Sequence, residues 1–407
     1  MNLIDIVYIV VYAIMLYVSL VWFTVYFKNR GIFLKNPRPK KFPSITFLLP
    51  AYNAEKTIKR CIESIFNLNY PKEKIKVIVI DDGSKDKTVE IVKQYKDIVK
   101  LIRQKHKGKA SALNNALKYV DTELVVCMDV DSYPDKNYLL NSVGYFENKN
   151  VAAVTPSLKV ENTDSLIRKI QWVEYIFSIF LRKVFSIAQT QYVIPGPGGI
   201  YRTSVLKEVG GFDEKNITED MEMGFRLINR GYRLENSVNA FVFTECPKDF
   251  RGFYKQRIRW YVGYWLNVKK YSHMIFNIKY GNLGIFLLPV NFLWLFVLAF
   301  LLITQIFFGV KSLIEFFINW SYINYAFTPP KFNISLLLLD SFTFFNILFL
   351  GITLLSIWIS IHVSEEKIDL RRRIKFYLAF IFIYPFLFSI LWILSIIYEL
   401  LGVKIKW

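Results

Sequence analysis

The sequence predicts an α/β domain with a mainly parallel sheet, joined to a set of membrane-crossing helices, and three observations predict it. Between residues 44 and 129, short apolar runs alternate with amphipathic helical stretches, the pattern of successive βαβ units. Four longer apolar runs, Ile6–Phe27, Leu283–Phe308, Ile334–Val363 and Phe376–Leu401, are each about long enough to cross a bilayer. Between Lys28 and Asn282 the composition is that of a water-soluble domain. The chain divides accordingly into an N-terminal anchor (1–28), a globular domain (29–272) and a C-terminal membrane domain with about three spans (273–407).

The first run is followed by Phe27-Lys28-Asn29-Arg30 and carries no small-residue cleavage site, so it reads as a retained anchor. Asp340 is the notable charge inside the third. Basic residues follow the first span (Lys28, Arg30, Lys35, Arg38, Lys40, Lys41) and precede the fourth (Lys367, Arg371, Arg372, Arg373, Lys375), whereas a loop at 309–333 holds only Lys311 and Lys331. The positive-inside rule then places the globular domain in the cytoplasm of a multi-pass protein of the cell membrane. Lys404 and Lys406 fall on the other side. The formal charge of +19 comes without a dominant stripe of basic and aromatic residues, so nucleic acid is not an expected partner. Anionic lipid beside the lysines and a phosphorylated substrate account for it better. Cys61, Cys127 and Cys246 have no pairing or zinc spacing, and three histidines make a histidine-ligated metal an unfavourable reading.

In order, Ser44–Pro50 is predicted as a strand and Ala54–Asn67 as an amphipathic helix. Strand Ile75–Ile80, helix Lys87–Tyr95, strand Val99–Arg103, helix Lys109–Val120 and strand Leu124–Asp129 follow. The last is the centre of the reading. Residues two apart on a strand share a face, so Asp129 and Asp131 can converge on one ligand beyond the sheet's carboxyl edge. Two hard oxygen donors there suit Mg²⁺ or Mn²⁺ bound together with substrate phosphates. Taken alone, the same residues also suit an Asp-rich turn. The segment Asp81-Asp82-Gly83-Ser84-Lys85-Asp86 places Asp82 where it meets a donor edge such as a base N–H or a ribose hydroxyl, or serves as turn and cap chemistry. Lys107-Gly108-Lys109 opens a helix with cations beside backbone donors, an arrangement that suits a diphosphate or a solvated helix start.

P-x-Y-N (from Pro50), D-D-G-S-x-D-x-T (from Asp81), G-K-A-x-A-L-N (from Gly108) and D-x-D (Asp129 to Asp131), in this order, resemble the family 2 glycosyltransferases. The resemblance covers roughly residues 44–265. It implies an α/β GT-A (nucleotide-diphospho-sugar transferase) fold and a UDP-sugar donor. Tyr52, Glu55, Asp82, Lys109 and Asp129 would line the nucleotide sugar, and Asp129 and Asp131 its metal.

The second half extends it. Ser165–Ala188 is a long apolar helix whose basic pairs Arg168-Lys169 and Arg182-Lys183 lie about four turns apart, which favours an interfacial amphipathic helix over buried core. Gly196–Arg202 resembles the family's glycine-rich acceptor loop, with Gly198 and Gly199 in it. Thr218-Glu219-Asp220 precedes a helix over Met221–Arg230; locally it suits a cap, and the resemblance assigns it to the catalytic carboxylates, Asp220 as base with Glu219 beside it. On a helix from about Asp249 to Val268, Gln256, Arg259 and Trp260 share one face. This Q-x-x-R-W resembles the membrane-embedded synthases of cellulose, hyaluronan, chitin and poly-N-acetylglucosamine. The expectation is an inverting, metal-dependent transferase that extends a β-linked glycan, without a cyclic-dinucleotide activator. Transfer of one sugar to a membrane lipid, as in ceramide glucosyltransferases, uses much the same motif set. A non-catalytic scaffold or glycan-translocating subunit is disfavoured by the presence of all three carboxylates at 129, 131 and 220.

Overall fold

The computed structural model describes residues 3–322, 341–366 and 370–403. Helix α1 (Leu3–Phe33) leads into β1 (Ile45–Ala51), α2 (Ile58–Phe66), β2 (Ile75–Asp81), α3 (Thr88–Lys93), β3 (Val99–Arg103), α4 (Lys109–Leu117) and β4 (Leu124–Cys127). These strands pair in parallel in the order β3-β2-β1-β4, as the alternating pattern predicted. The sheet is covered on both sides, which explains its near-continuous apolar strands. Phe47 and Leu49 enter a core with Ile58, Ile62 and Ile65 of α2. Leu48, one residue out of phase, enters the other with Ala112, Leu113 and Ala116 of α4.

Four further strands, absent from the sequence reading, complete the sheet. After β5 (Ser132–Pro134) and α5 (Tyr138–Ser142) come β6 (Val151–Val160), α6 (Leu166–Ile187), β7 (Gly199–Arg202), α7 (Thr203–Glu208), α8 (Glu219–Asn229) and β8 (Arg233–Thr244). Strand β7 lies antiparallel between β4 and β6, β8 runs parallel to β6, and β5 closes the edge, giving eight strands in the order β3-β2-β1-β4-β7-β6-β8-β5. Helices α9 (Phe250–Lys270), α10 (Leu288–Tyr322), α11 (Ser341–Val363), α12 (Leu370–Phe382) and α13 (Tyr384–Leu400) follow.

Three expectations need correction. Strand β4 ends at Cys127, so strand alternation does not align Asp129 with Asp131. A turn does so instead, closed by the Ser132 N–H to the Asp129 carbonyl at 3.0 Å and the Ser132 hydroxyl to Asp131 Oδ1 at 2.9 Å. The expected loop from 309 is helical through Tyr322. The fourth apolar run is not one straight span: α12 and α13 meet at a 42° bend at Ile383. Pro385, in the first turn of α13, lacks the N–H and the clearance that a continuous helix requires. Asp340, Lys331, Lys367, Lys404 and Lys406 lie outside the described residues.

Ile4–Phe33, Leu283–Tyr322 and Phe344–Val363 are long and apolar enough to cross a membrane, and the bent pair is a fourth candidate. Helix α6 packs between the β6–β8 part of the sheet and helices α1, α11 and α12. Two of its basic residues, Arg168 and Lys183, make contacts within the protein. Arg168 donates to the Cys246 carbonyl at 2.8 Å. Lys183 is 4% exposed and donates to the Tyr145 hydroxyl at 2.9 Å and the Asn236 carbonyl at 3.0 Å. Periodicity reports that a helix has two faces, not which neighbour each face meets.

Burial pulls the Lys183 pKa from 10.5 down to about 8, with Glu235 opposing the shift. Between about pH 8 and 10.5 the unfolded chain therefore holds a proton that the folded chain has released, and this residue's contribution to stability rises with pH. Below about pH 8 both states hold the proton and the contribution levels off at its lowest. The melting temperature of the wild type minus that of Lys183→Met is expected to increase steadily across that window; a flat or falling difference would contradict the assignment.

Candidate active site

The site assembles where β1 and β4 end, from side chains that four separate segments deliver. Lys109 opens α4, Asp129 and Asp131 follow β4, Gly196 lies in the loop before β7, and Glu219 and Asp220 start α8. The Lys109 ammonium lies 2.5 Å from Asp129 Oδ1 and 3.4 Å from Glu219 Oε1. Desolvation disfavours its charge, but Asp129, Glu219 and Asp220 outweigh that and hold its pKa above the ordinary lysine value. Burial, and then the Asp129 charge, push the Asp131 carboxyl up to about 6. Burial raises Glu219 as well, against the pull of Lys109.

Asp220 is held by two backbone donors, the Gly196 N–H to Oδ2 at 2.9 Å and the Met221 N–H to Oδ1 at 2.8 Å. A side chain at Gly196 would displace the Lys109 ammonium. A Cβ at this position would sit 2.5 Å from Lys109 Nζ and 3.2 Å from Asp129 Oδ2. The T-E-D turn is fixed in turn to α9. Asn267, fully buried on α9, donates to the Thr218 hydroxyl at 3.1 Å and accepts from Asn216 at 2.8 Å. Gly263 lets α9 approach so closely that any Cβ there would collide with Thr218.

The carboxylates and Lys109 line a cavity of about 400 Å³ between α6, α8, α9 and α13. Of the residues singled out in the sequence, Lys109, Asp129, Asp131, Glu219, Asp220, Gln256, Arg259 and Trp260 all line it. Arg259 makes no ion pair among the described residues. The lining is also aromatic, with Trp260, Tyr261 and Tyr264 from α9 and Trp392 from α13. Trp392 packs at 5.0 Å from Tyr261 and 5.2 Å from Tyr264.

Tyr52, Glu55 and Asp82 form a separate group at the ends of β1 and β2. Tyr52 is exposed and stacks on the His106 ring at 4.3 Å. Asp82 accepts from Gln104 and from the Lys107 and Gly108 N–H groups at 2.8, 2.9 and 2.9 Å. Burial works against its charge, but these hydrogen bonds, with His106, hold its carboxyl below the usual carboxylate range. Asp82 thus shapes the loop that presents Lys109. Glu55 accepts from the Lys87 N–H at 3.1 Å and ties the two loops together. Gly198 and Gly199 stand outside the cavity lining. The Gly198 N–H donates to the Cys127 carbonyl and its own carbonyl accepts from the Tyr138 hydroxyl, and a Cβ would meet Val242 at 2.9 Å. In the structure they seat β7 on β4, whereas Gly196, two residues earlier in the same loop, lines the cavity.

Sequence reasoning named Gly196 only as the start of the glycine-rich loop, and it missed Glu174, Arg257 and Trp392. Arg257, the second residue of Q-x-x-R-W, is fully buried. Its guanidinium pairs with Glu174 of α6 at 2.6 Å, donates to Gln256 at 2.8 Å and stacks over Trp260 at 4.3 Å. The only signal in the sequence was the basic residue inside an apolar, aromatic helix.

With this geometry in view, the fold is recognisable as GT-A. A mannosyltransferase from Pyrobaculum calidifontis, PcManGT, solved in complex with GDP-Man and Mn²⁺, superposes with a TM-score of 0.53 at 19% identity, covering 97% of this chain and 100% of that one. The sequence model of Glycosyl transferase family 2 matches residues 46–210. Curated relatives include a poly-beta-1,6-N-acetyl-D-glucosamine synthase of Staphylococcus epidermidis, 32% identical over 240 residues that span 58% of each chain. One of Staphylococcus aureus is 31% identical over 247 residues, 58% of this chain and 60% of that. The matched region thus spans about three-fifths of the length of these relatives.

Removing Glu174 would leave the Arg257 charge buried without its partner, and such losses cost about 3–5 kcal/mol. Glu174→Ala is therefore expected to lower the melting temperature of the detergent-solubilised protein by several degrees. Glu174→Ala combined with Arg257→Met should recover much of that loss. No recovery in the double variant would show that the pair is not what holds α6 to α9.

Proposed function

We propose that the chain is an inverting, metal-dependent membrane glycosyltransferase that moves a sugar from a UDP-sugar onto a growing β-linked glycan. One observation carries the reading: a single cavity is lined both by a carboxylate cluster and by an aromatic wall, partly supplied by the apolar helix α13. The cluster suits a nucleotide diphosphate with its cation, and the wall suits the flat faces of sugar rings. The names of the relatives favour N-acetylglucosamine as the sugar to test first.

In this reading Asp220 removes the proton from the acceptor hydroxyl as its oxygen attacks the anomeric carbon. The bond from that carbon to the UDP oxygen breaks, and UDP leaves with the electron pair. The Gly196 and Met221 N–H groups fix the orientation of Asp220 while leaving lone pairs to take the proton. Glu219 and Asp129 hold Lys109, whose ammonium faces the developing diphosphate charge. Asp129 and Asp131 would hold Mg²⁺ or Mn²⁺. The donor set fits, because Lys109 bonds only one of these two crowded carboxylates. When bound, such a cation supplies charge neutralisation to the leaving group. Trp260 offers a plate for the acceptor ring. Tyr52 and Asp82 lie where the base and ribose would approach along the sheet edge.

The globular domain faces the cytoplasm in this reading, with the apolar helices in the cell membrane. A second reading keeps the chemistry and ends with one sugar on a membrane lipid. It is favoured by Trp392, which opens the acceptor wall toward an apolar helix.

Purified protein in nanodiscs, given Mg²⁺ or Mn²⁺ and a panel of UDP-sugars, is expected to release UDP and form a ladder or high polymer. A single chloroform-soluble product would select the lipid reading. Asp220→Asn should reduce turnover by about 10²–10⁴-fold, the usual span for a positioned base. Equal turnover in that variant would overturn the mechanism. Gly196→Ala should push Lys109 off Asp129, and with displacements near 1 Å costing up to about 10²-fold, turnover should fall at least tenfold. Its melting temperature should stay within a few degrees of wild type; unchanged turnover would show that the close approach is not needed.

A further inference from the structure

One face of α6 lines the cavity with residues one helical turn apart, Glu174, Ser178 and Arg182. They lie across from the stripe Gln256, Trp260 and Tyr264 on α9. None of the motifs includes this ladder. Its members differ in what they still have to offer. Glu174 is committed to Arg257, and the Ser178 hydroxyl donates to the Tyr175 carbonyl at 2.8 Å. Arg182 is not committed. Its Nη1 is buried and has no hydrogen-bond partner among the described residues, and it forms no ion pair among them. Burial disfavours its charge, and Tyr175, Asp220, Tyr192 and Glu174 are the groups that offset this through space. A guanidinium in this position lacks a hydrogen-bond acceptor, and the cavity is where one can enter.

The surroundings restrict what that acceptor is. A guanidinium only donates, so it prefers a group that only accepts. A sugar hydroxyl both donates and accepts and satisfies it less fully. A carboxylate on the sugar would have to enter among Glu174, Glu219, Asp220 and Glu245, all of which line the same cavity, and would be repelled there. An amide carbonyl is a strong neutral acceptor and meets neither objection.

We propose that Arg182 is the specificity residue of the acceptor site, its guanidinium donating to the amide carbonyl of an N-acylated hexosamine unit that lies against Trp260. This rests on the acceptor-binding reading given above and deepens it. The Glu174–Arg257–Trp260 assembly then holds the ring plane, while Arg182 reads the substituent. The terminal hydroxyl is left facing Asp220.

The test is a binding experiment, so it does not depend on turnover. Full-length Asp220→Asn protein in nanodiscs is titrated with oligomers of N-acetylglucosamine, of de-N-acetylated glucosamine and of glucose, with tryptophan fluorescence as readout. The N-acetylated oligomer is expected to bind at least about tenfold more tightly than the other two, the worth of one hydrogen bond from a charged donor. Adding Arg182→Met should abolish that preference by weakening the N-acetylated oligomer alone, and Arg182→Lys should restore part of it. UDP titration of each variant reports that the donor end is folded, and a variant that fails it is replaced by Arg182→Gln. A preference that survives loss of the guanidinium would overturn the proposal, as would equal binding of the three oligomers or no binding of any. UDP release by the wild type independently decides whether the chain is a transferase at all.

Discussion

The site depends on one ammonium group. Lys109 brings positive charge to a place where Asp129, Glu219 and Asp220 crowd together, and without it these carboxylates would repel one another in a partly desolvated cavity. Most of the nearby architecture can be read as a means of delivering that group. The Asp82 carboxylate organises the Lys107-Gly108 backbone so that α4 begins at Lys109, and Gly196 leaves the volume that the ammonium occupies. The parallel strands β1 and β4 set the carboxyl edge on which all of this stands.

The second constraint is mechanical. Helix α9 is fixed to the T-E-D turn through Asn267 and Gly263, to α6 through Arg257 and Glu174, and to α13 through the Tyr254–Tyr398 and Trp265–Ser395 hydrogen bonds at 2.8 and 3.2 Å. The aromatic plate and the carboxylate cluster are therefore held at a set spacing by short polar contacts, each of which relies on a side chain of one size. This is how a cavity assembled from distant segments keeps a fixed shape.

The sequence disclosed the parallel half of the sheet because every strand there is a bounded apolar run followed by turn chemistry. It pointed to Lys109, Asp129, Asp131, Glu219 and Asp220 through motifs that resemble those of a known family, and to the shared face of Gln256, Arg259 and Trp260 through helical spacing. It did not disclose β5 to β8, whose pairing is long-range and mixed in direction. It placed Gly196 in the glycine-rich loop but not beside Lys109, because that closeness shows only in what would touch an absent Cβ. The partners of α6 were not legible for a related reason: basic residues on an apolar helix look alike whether they meet lipid, a buried carbonyl or a cavity. The glycines at 198 and 199 were placed in the right loop, but their tight packing seats a strand and leaves the cavity to their neighbour.

Trp392 shows that the boundary between globular and membrane parts is not a boundary of the site. This ring comes from the last apolar helix, beyond the bend at Ile383, yet it shares a wall with Tyr261 and Tyr264. A fragment cut after α9 would keep every carboxylate and the whole sheet. It would also open a slot to solvent where an indole had closed it, and expose the apolar flank of α9. Dissection between α9 and α13 thus separates two parts of one cavity lining, so the smallest unit with the complete lining includes α13.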